Sequence, residues 1–345
     1  MRQALLDGQS LITPALFTES LYQTKTAFDG DQLESAVFSM SKTLDQANLE
    51  FSRGGNPSAI IDTTARELHL LRNRVDTSVW QALLPIAQEH PVAEYFLQDP
   101  FTRWSFTKPR GYSGDAGLLD FIYGHSDVAN EINNASPIGR ALYDYTKDAS
   151  SSVAVRERRD LLTKHVDAVA AARGKETEIL TIAAGHLREA NRSQALQEDG
   201  ISRWVALDQD PDSVESIRRD FAGTRIQAVE GSVRGLLTKA NTLGTFDFIY
   251  AAGLYDYLSR KVAIKLTQCC LNMLKPNGVF LFANFAQEIG VDGYMETFMN
   301  WPLLLRSEED MSDIVSASIG SNTMNSTIFF GENRNVVYAT IQKIG

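Results

Sequence analysis

The 345-residue chain carries 33 Lys and Arg against 43 Asp and Glu, a net charge of −10, with 43% hydrophobic and 22% charged residues. That is the mix of a globular protein of roughly two domains at about 150 residues each. The acidic balance and the lack of a long Lys/Arg run argue against a grip on a nucleic-acid backbone.

No stretch approaches the roughly 18 uninterrupted apolar residues of a membrane helix. The first residues, MRQALLDGQSL, place Asp7 where a secretory signal has its apolar core. The expectation is a cytoplasmic protein with a small-molecule substrate and with neither nucleic acid nor membrane as partner; a homodimer stays open. Cys269 and Cys270 stand side by side in the apolar stretch LTQCCLNML and are expected to pack as small hydrophobes. Two cysteines without ligand partners nearby make no zinc site, and no metal is expected.

From Pro14 to about His90 the apolar spacing is helical. Residues 29–51 show Leu33, Val37, Met40, Leu44 and Leu49 at near-helical intervals. Pro57 opens the next helix behind an Asn56 cap, with Ile60, Ile61, Leu68 and Leu71 on one face. Further helical pieces run over 76–90 and 92–97, interrupted by Pro91. Residues 99–125, rich in Gly, Pro and aromatics, are expected to form an ordered loop. Helices resume over 138–147 and 153–172, and Arg173-Gly174-Lys175 closes the helical half.

Beyond that point short apolar runs alternate with amphipathic segments. Strands are expected over 178–183, 204–208, 226–229, 246–251 and 279–285, with helices around 188–198, 213–221, 260–274 and 307–316. This alternation predicts a doubly wound, mostly parallel α/β sheet. The last two strands, 326–330 and 336–341, are joined by Gly-Glu-Asn-Arg-Asn and read as an antiparallel hairpin. Two domains follow: 1–150, an N-terminal helical bundle with a lid segment, and 151–345, a Rossmann-like domain.

In such a sheet ligands sit beyond the carboxyl ends of the strands. The first turn, Ala184-Gly185-His186-Leu187-Arg188, lacks the glycine-rich phosphate fingerprint. The second strand ends at Asp208, whose two oxygens suit a ribose diol, although Asp there also suits a helix cap. Glu230-Gly231-Ser232-Val233 suits the edge and face of an adenine. One ribose-binding acid, no phosphate loop and many aromatics fit an adenosine ligand without phosphates, such as S-adenosylmethionine (SAM). Its sulfonium would favour aromatic faces and carbonyl oxygens.

The stretch from about Glu178 to Phe285 resembles a class I SAM-dependent methyltransferase. The segments FDFIYAAGLYDYLSRKVA, LKPNGVFLFANF, GYMETFMNWPLLLRSEEDM and, upstream, PRGYSGDAGLLDFIYG resemble more narrowly the methyltransferase family associated with biosynthesis of the 3-hydroxypalmitate methyl ester extracellular factor. The resemblance spans most of residues 100–315. It implies a seven-stranded sheet and a SAM pocket in which Ala184, Gly185 and Arg188 shape the methionine end. Asp208 would bind ribose with Gln209 beside it, Ser232 and Val233 would meet adenine, and Gly253, Leu254 and Tyr255 would lie near the sulfonium. Arg110, Tyr112 and Asp115 would form a lid. Tyr255, Asn284 and Tyr112 are the candidate catalytic groups.

The chain departs from that family on the acceptor side. Asn284-Phe285-Ala286 replaces Asn-Phe-His, and Asn300-Trp301-Pro302-Leu303-Leu304-Leu305-Arg306 replaces Asp-Trp-His-Leu-Ile-Tyr-Arg. Two imidazoles, a phenol and a carboxylate are replaced by groups with no general base. Tyr255 and Tyr257 also fit a core position after a strand, Asn284 a cap, and His186 a packing residue. Trp301 and Met295 are expected to pack the domain. Three functions remain open: a methyltransferase for a small carboxylate or acyl compound of secondary metabolism; an enzyme that cyclises SAM to azetidine-2-carboxylate and 5′-methylthioadenosine, like azetidine-2-carboxylate synthases; and a non-catalytic SAM-binding protein.

Overall fold

The computed structural model describes residues 30–239, 243–320 and 324–345. The helical expectation for residues 14–28 therefore lies outside the described residues. The chain divides into two compact units: one holds Ala154–Glu288 and Leu303–Gly345, the other runs up to Val153 and takes in Ile289–Pro302.

In the helical unit α1 (Gly30–Ser52), α2 (Pro57–Arg72), α3 (Thr77–Glu89) and the short α4 (Ala93–Phe96) follow one another. Asn56 caps α2 as its spacing predicts, accepting from Ala59 N at 3.2 Å, and Ile60, Ile61, Leu68 and Leu71 are all buried. The buried face of α1 is rotated from the predicted one. Ala36, Met40, Leu44, Ala47 and Phe51 form it, while Leu49 is exposed. The small residues allow close packing, and the sequence pattern scored them too low.

The segment expected as a loop holds two helices, α5 (Pro100–Thr107) and α6 (Ala116–Tyr123). Each begins at an aspartate cap: Asp99 accepts from Phe101 N and Thr102 N, and Asp115 accepts from Leu118 N. Capping by these two residues, rather than the glycines and prolines between the helices, decides the local structure. Two further helices, α7 (Ala129–Asn133) and α8 (Pro137–Asp148), complete the main run, and α9 (Ser150–Arg173) carries the chain across the boundary between the units.

Residues 289–302, counted with the α/β half in the sequence, pack in the helical unit through α14 (Asp292–Thr297). Asp292 accepts from His69 Nδ1 at 2.6 Å and Arg72 Nη1 at 2.9 Å. Glu296 accepts from Arg72 and from Trp80 Nε1 at 2.6 Å. A Cβ on Gly293 would stand 2.6 Å from the Leu68 carbonyl carbon, so only glycine lets the two backbones meet.

The other unit is a seven-stranded sheet in the order β3-β2-β1-β4-β5-β7-β6. Its strands are β1 (Glu178–Ile182), β2 (Arg203–Asp208), β3 (Ile226–Glu230), β4 (Phe246–Ala251), β5 (Leu274–Phe285), β6 (Met324–Phe330) and β7 (Val336–Lys343). The first five are parallel, and β7 lies antiparallel to both β5 and β6. This is the class I methyltransferase-like α/β sheet that the resemblance implies, hairpin included. The inner strands β1, β2 and β4 are almost wholly buried, which explains their continuous apolar runs.

The helix expected over 188–198 is reduced to a single turn at Ala190–Arg192 and the four-residue α10 (Gln194–Gln197). The Asp167 carboxylate gathers Ser193 Oγ, Gln194 N and Ala195 N, which fixes the chain in this turn. Along the chain follow α11 (Pro211–Asp220), α12 (Val233–Lys239), α13 (Arg260–Asn272) and, after the inserted α14, α15 (Glu308–Ser318). The acidic first turn of α15 is closed by a capping box between Ser307 and Asp310. Cys270 of α13 is buried in the core, as expected of a small hydrophobe, and both cysteines are free.

Candidate functional site

The strand order reverses between β1 and β4, so the loops leaving the carboxyl ends of β1, β2, β4 and β5 frame the candidate site. Three of five residues after β1 have left-handed backbone: Ala183 (φ 54°), Gly185 (φ 55°) and Leu187 (φ 51°). Two of them bear a Cβ and carry strain, a common feature of ligand-binding loops. Ala184 N donates to Leu207 O at 3.1 Å and ties this loop to β2.

Asp208 closes β2. Its Oδ2 accepts from Gly185 N at 2.7 Å and its Oδ1 from Asp210 N at 2.8 Å. The side chain is buried, and burial pushes its carboxyl up to about 6 in spite of both hydrogen bonds. A carboxylate has about four lone-pair sites, so each oxygen still has capacity to accept. Gly231 N donates to Asp208 O at 2.8 Å, and a Cβ there would stand 2.8 Å from Leu207 Cδ1. Ser232 Oγ accepts from Gly235 N at 3.1 Å and caps α12, while Val233 is buried behind it. The structure thus brings Ala184, Gly185, Asp208, Gln209, Ser232 and Val233 together at the ends of β1 to β3.

Other candidates are placed differently from the expectation. Arg188 is buried, with Nη1 3.0 Å from Asp220 Oδ2 at the end of α11 and Nη2 3.3 Å from His186 Nδ1. Its guanidinium therefore braces the loop against α11. Gly253 and Leu254 do follow β4, but Tyr255 is wholly buried in the core. Its ring stacks on Phe282 at 4.2 Å and its hydroxyl meets Thr267 Oγ1 of α13 at 2.8 Å. Burial pushes that phenol well above its ordinary range.

Asn284, also fully buried, donates to Leu304 O at 2.7 Å and accepts from Arg306. Arg306 in turn donates to Tyr255 O at 2.6 Å and to Leu258 O. This knot fastens the returning segment 303–306 to the ends of β4 and β5. Asn284 works as a structural clamp there, in place of the substrate contact expected of it.

Arg110, Tyr112 and Asp115 belong to the helical unit. The turn that carries them has Gly111 at φ 86° and Gly114 at φ 72°, as a structured turn requires. Asp115 is buried; besides capping α6 it accepts from Trp104 Nε1 at 3.1 Å on both oxygens. In the same unit Asp120, His125 and Asp127 bring three metal-ligand side chains within 4.8 Å of one another, although His125 Nδ1 already accepts from Asp127 N at 3.2 Å.

Three charged residues at the strand ends escaped the sequence reading. Asp256 accepts from Phe285 N at 2.6 Å, Glu189 accepts from Tyr250 Oη at 2.6 Å, and burial pushes both carboxyls up. Arg158 of α9 donates from Nη1 to Ala252 O at 2.8 Å. A signal for it existed: Arg158 falls between Val155 and Leu162 on the apolar stripe of its helix, where a charge needs a reason.

Among solved structures, a possible exported protein from Bordetella parapertussis matches with a TM-score of 0.52 at 14% identity, covering 92% of this chain and 100% of that one. The N-methyltransferase NodS from Bradyrhizobium japonicum, in complex with S-adenosyl-L-homocysteine, matches with a TM-score of 0.40 at 16% identity over 65% of this chain and 99% of its own. The plantazolicin methyltransferase BpumL, in complex with SAH, matches with a TM-score of 0.44 at 10% identity over 75% of this chain and 100% of its own. The Bordetella protein shares the fold along nearly the whole chain. No family model and no curated protein matches the sequence. Among the described residues no helix is long and apolar enough to cross a membrane.

Proposed function

We infer that the α/β unit binds SAM and transfers its methyl group to a small molecule, with a carboxylate or acyl compound as the favoured acceptor class. The observation that carries this reading is Asp208: a buried acid at the end of β2, oriented by two backbone N–H groups, with one acceptor site left on each oxygen. That is the arrangement a vicinal ribose diol requires. The left-handed turn at Gly185 and the close approach at Gly231 keep side chains away from the same strand ends. Bound SAM would supply an electrophilic methyl carbon on a positively charged sulfur.

The protein's contribution is alignment, since an in-line displacement needs acceptor, carbon and leaving sulfur on one axis. The carbonyl oxygens and apolar side chains after β4 would surround the sulfonium and exclude water. Tyr255 and Asn284 have their polar atoms engaged within the protein and are not poised to take a proton. A carboxylate acceptor, with an ordinary pKa near ~4, is ionised at neutral pH and needs no base. Its oxygen would form the new C–O bond as the C–S bond of bound SAM broke, with the electron pair left on sulfur.

The apolar acceptor side, with Ala286, Pro302 and Leu305 in place of polar groups, favours a second reading, in which the α-amine of SAM, its proton released to water, attacks its own γ-carbon and expels 5′-methylthioadenosine. Incubation of the full chain with SAM, alone and with a panel of hydroxy fatty acids and amino acids, separates the two. S-adenosylhomocysteine released only with an acceptor supports methyl transfer. 5′-Methylthioadenosine with an equimolar cyclic amino acid, formed without an acceptor, replaces it by cyclisation. SAM bound but unchanged under every condition leaves a binding protein.

A further inference from the structure

We propose that Arg158 is an anchor for a carboxylate group bound against the loop after β4. The residue is only 4% exposed, yet its one hydrogen bond among the described residues is Nη1 to Ala252 O at 2.8 Å. No carboxylate oxygen of the described residues lies within 4.0 Å of its guanidinium. The acids whose fields it meets, Glu189 and Asp256, have an oxygen held by Tyr250 Oη and by Phe285 N respectively. A guanidinium has five N–H donors, and most of these remain available.

A buried cation without a contact counter-ion is costly, and a bound anion removes that cost. The fold also keeps Arg158 from turning away toward water. Its neighbour Glu157 is held by Glu332 N at 2.9 Å, and Val155 and Leu162 bury the flanking turns of α9. Nη2 stands 3.6 Å from the point where a Cβ of residue 253 would sit, so Gly253 leaves the space before the guanidinium open. A planar two-oxygen anion matches the fork of donors in a way that a lysine could not.

Two sources supply that chemistry: the α-carboxylate of SAM itself, if the cofactor reading above holds, or the carboxylate of an acceptor. Titrations of the full chain and of its Arg158→Met and Arg158→Lys variants distinguish them, with SAM, decarboxylated SAM, 5′-methylthioadenosine and octanoate as probes. 5′-Methylthioadenosine has no carboxylate and should bind all three proteins alike, which also reports that the variants fold. If the cofactor is the source, SAM affinity drops about tenfold or more in Arg158→Met while decarboxylated SAM binds as before. Arg158→Lys then falls between the two. If the acceptor is the source, SAM affinity holds and octanoate binding to the SAM-saturated protein is lost.

Equal affinity of the wild-type chain for SAM and decarboxylated SAM, together with no octanoate binding, overturns the proposal without any variant. So does an Arg158→Met protein that binds SAM and octanoate like the wild type. Failure of wild-type protein to bind either SAM or 5′-methylthioadenosine would instead remove the cofactor reading, and octanoate alone would then decide the anchor.

Discussion

Two aspartates follow strands of the same sheet, and they serve different ends. Asp208 at the end of β2 is held by two backbone N–H groups, one on each oxygen. Asp256, a few residues beyond β4, accepts from Phe285 N, lies in the fields of Arg158 and Arg306, and sits inside a knot of buried polar groups. Both are buried acids in strand-end loops. What separates them is their surroundings: the charges acting on Asp256 are the guanidinium groups of Arg158 and Arg306, while Asp208 is held by backbone N–H groups with no arginine among the described residues acting on it. On that ground the β1–β3 side is the proposed ligand side, while Tyr255 and Asn284 on the β4–β5 side have their polar atoms engaged by their own loops and by α13.

The largest expected effect is on the committed side. Arg306→Met would leave Leu258 O and Asn284 Oδ1 without their donor, Tyr255 O with Leu258 N alone, and Asp256 without one of its positive neighbours. Breaking a buried charge network by removing one partner costs about 3–5 kcal/mol. A thermal melt of the variant should fall by well over 5 °C. An unchanged melting temperature would mean that the knot is dispensable and the comparison wrongly drawn.

Next comes Asp208→Ala, which removes the acceptors proposed for a ribose diol. A loss of about 3 kcal/mol, or roughly a hundredfold in SAM affinity, is expected from two charge-assisted hydrogen bonds. The pH dependence sharpens the same point. Asp208 has a pKa raised to about 6, so its ionised form predominates only above that value. SAM affinity should therefore be level above pH 7 and fall by up to about tenfold per pH unit below 6.

The apoprotein responds to acid in the opposite direction. An acid whose folded pKa lies above its unfolded one loses stability as pH rises between the two values. Asp99, buried and likewise raised to about 6, adds to this effect. Replacing Asp99 by Asn should flatten the change in melting temperature between pH 4 and 6. Smallest of all is Tyr255→Phe, which removes one buried hydrogen bond to Thr267 while Thr267 keeps Ala263 O. About 1 kcal/mol of stability and little or no turnover should be lost. A large fall in turnover at unchanged SAM affinity would move this hydroxyl to the chemistry.

The fold was legible in the sequence where burial produces runs. β1, β2 and β4 are covered on both faces and so read as continuous apolar stretches, and the hairpin announced itself through the turn Gly331–Asn335. The short helices α5 and α6 were hidden because aspartate caps create them while the glycines around residue 111 suggest a loop. Asp208 could be named as a candidate because the sequence places an acid at the end of the second strand, and the structure puts it at that end. The true surroundings of Tyr255 and Asn284 could not be read, because their partners Thr267, Leu304 and Arg306 lie 12 to 22 residues away. Spacing places a residue after a strand without saying which way its side chain turns.

The most direct test of the account is a calorimetric titration of SAM into the wild-type chain and into Asp208→Ala at pH 7.5. The account predicts one site per chain in the wild type and an affinity lower by about two orders of magnitude in the variant. Equal binding by both proteins, or none by the wild type, would contradict it.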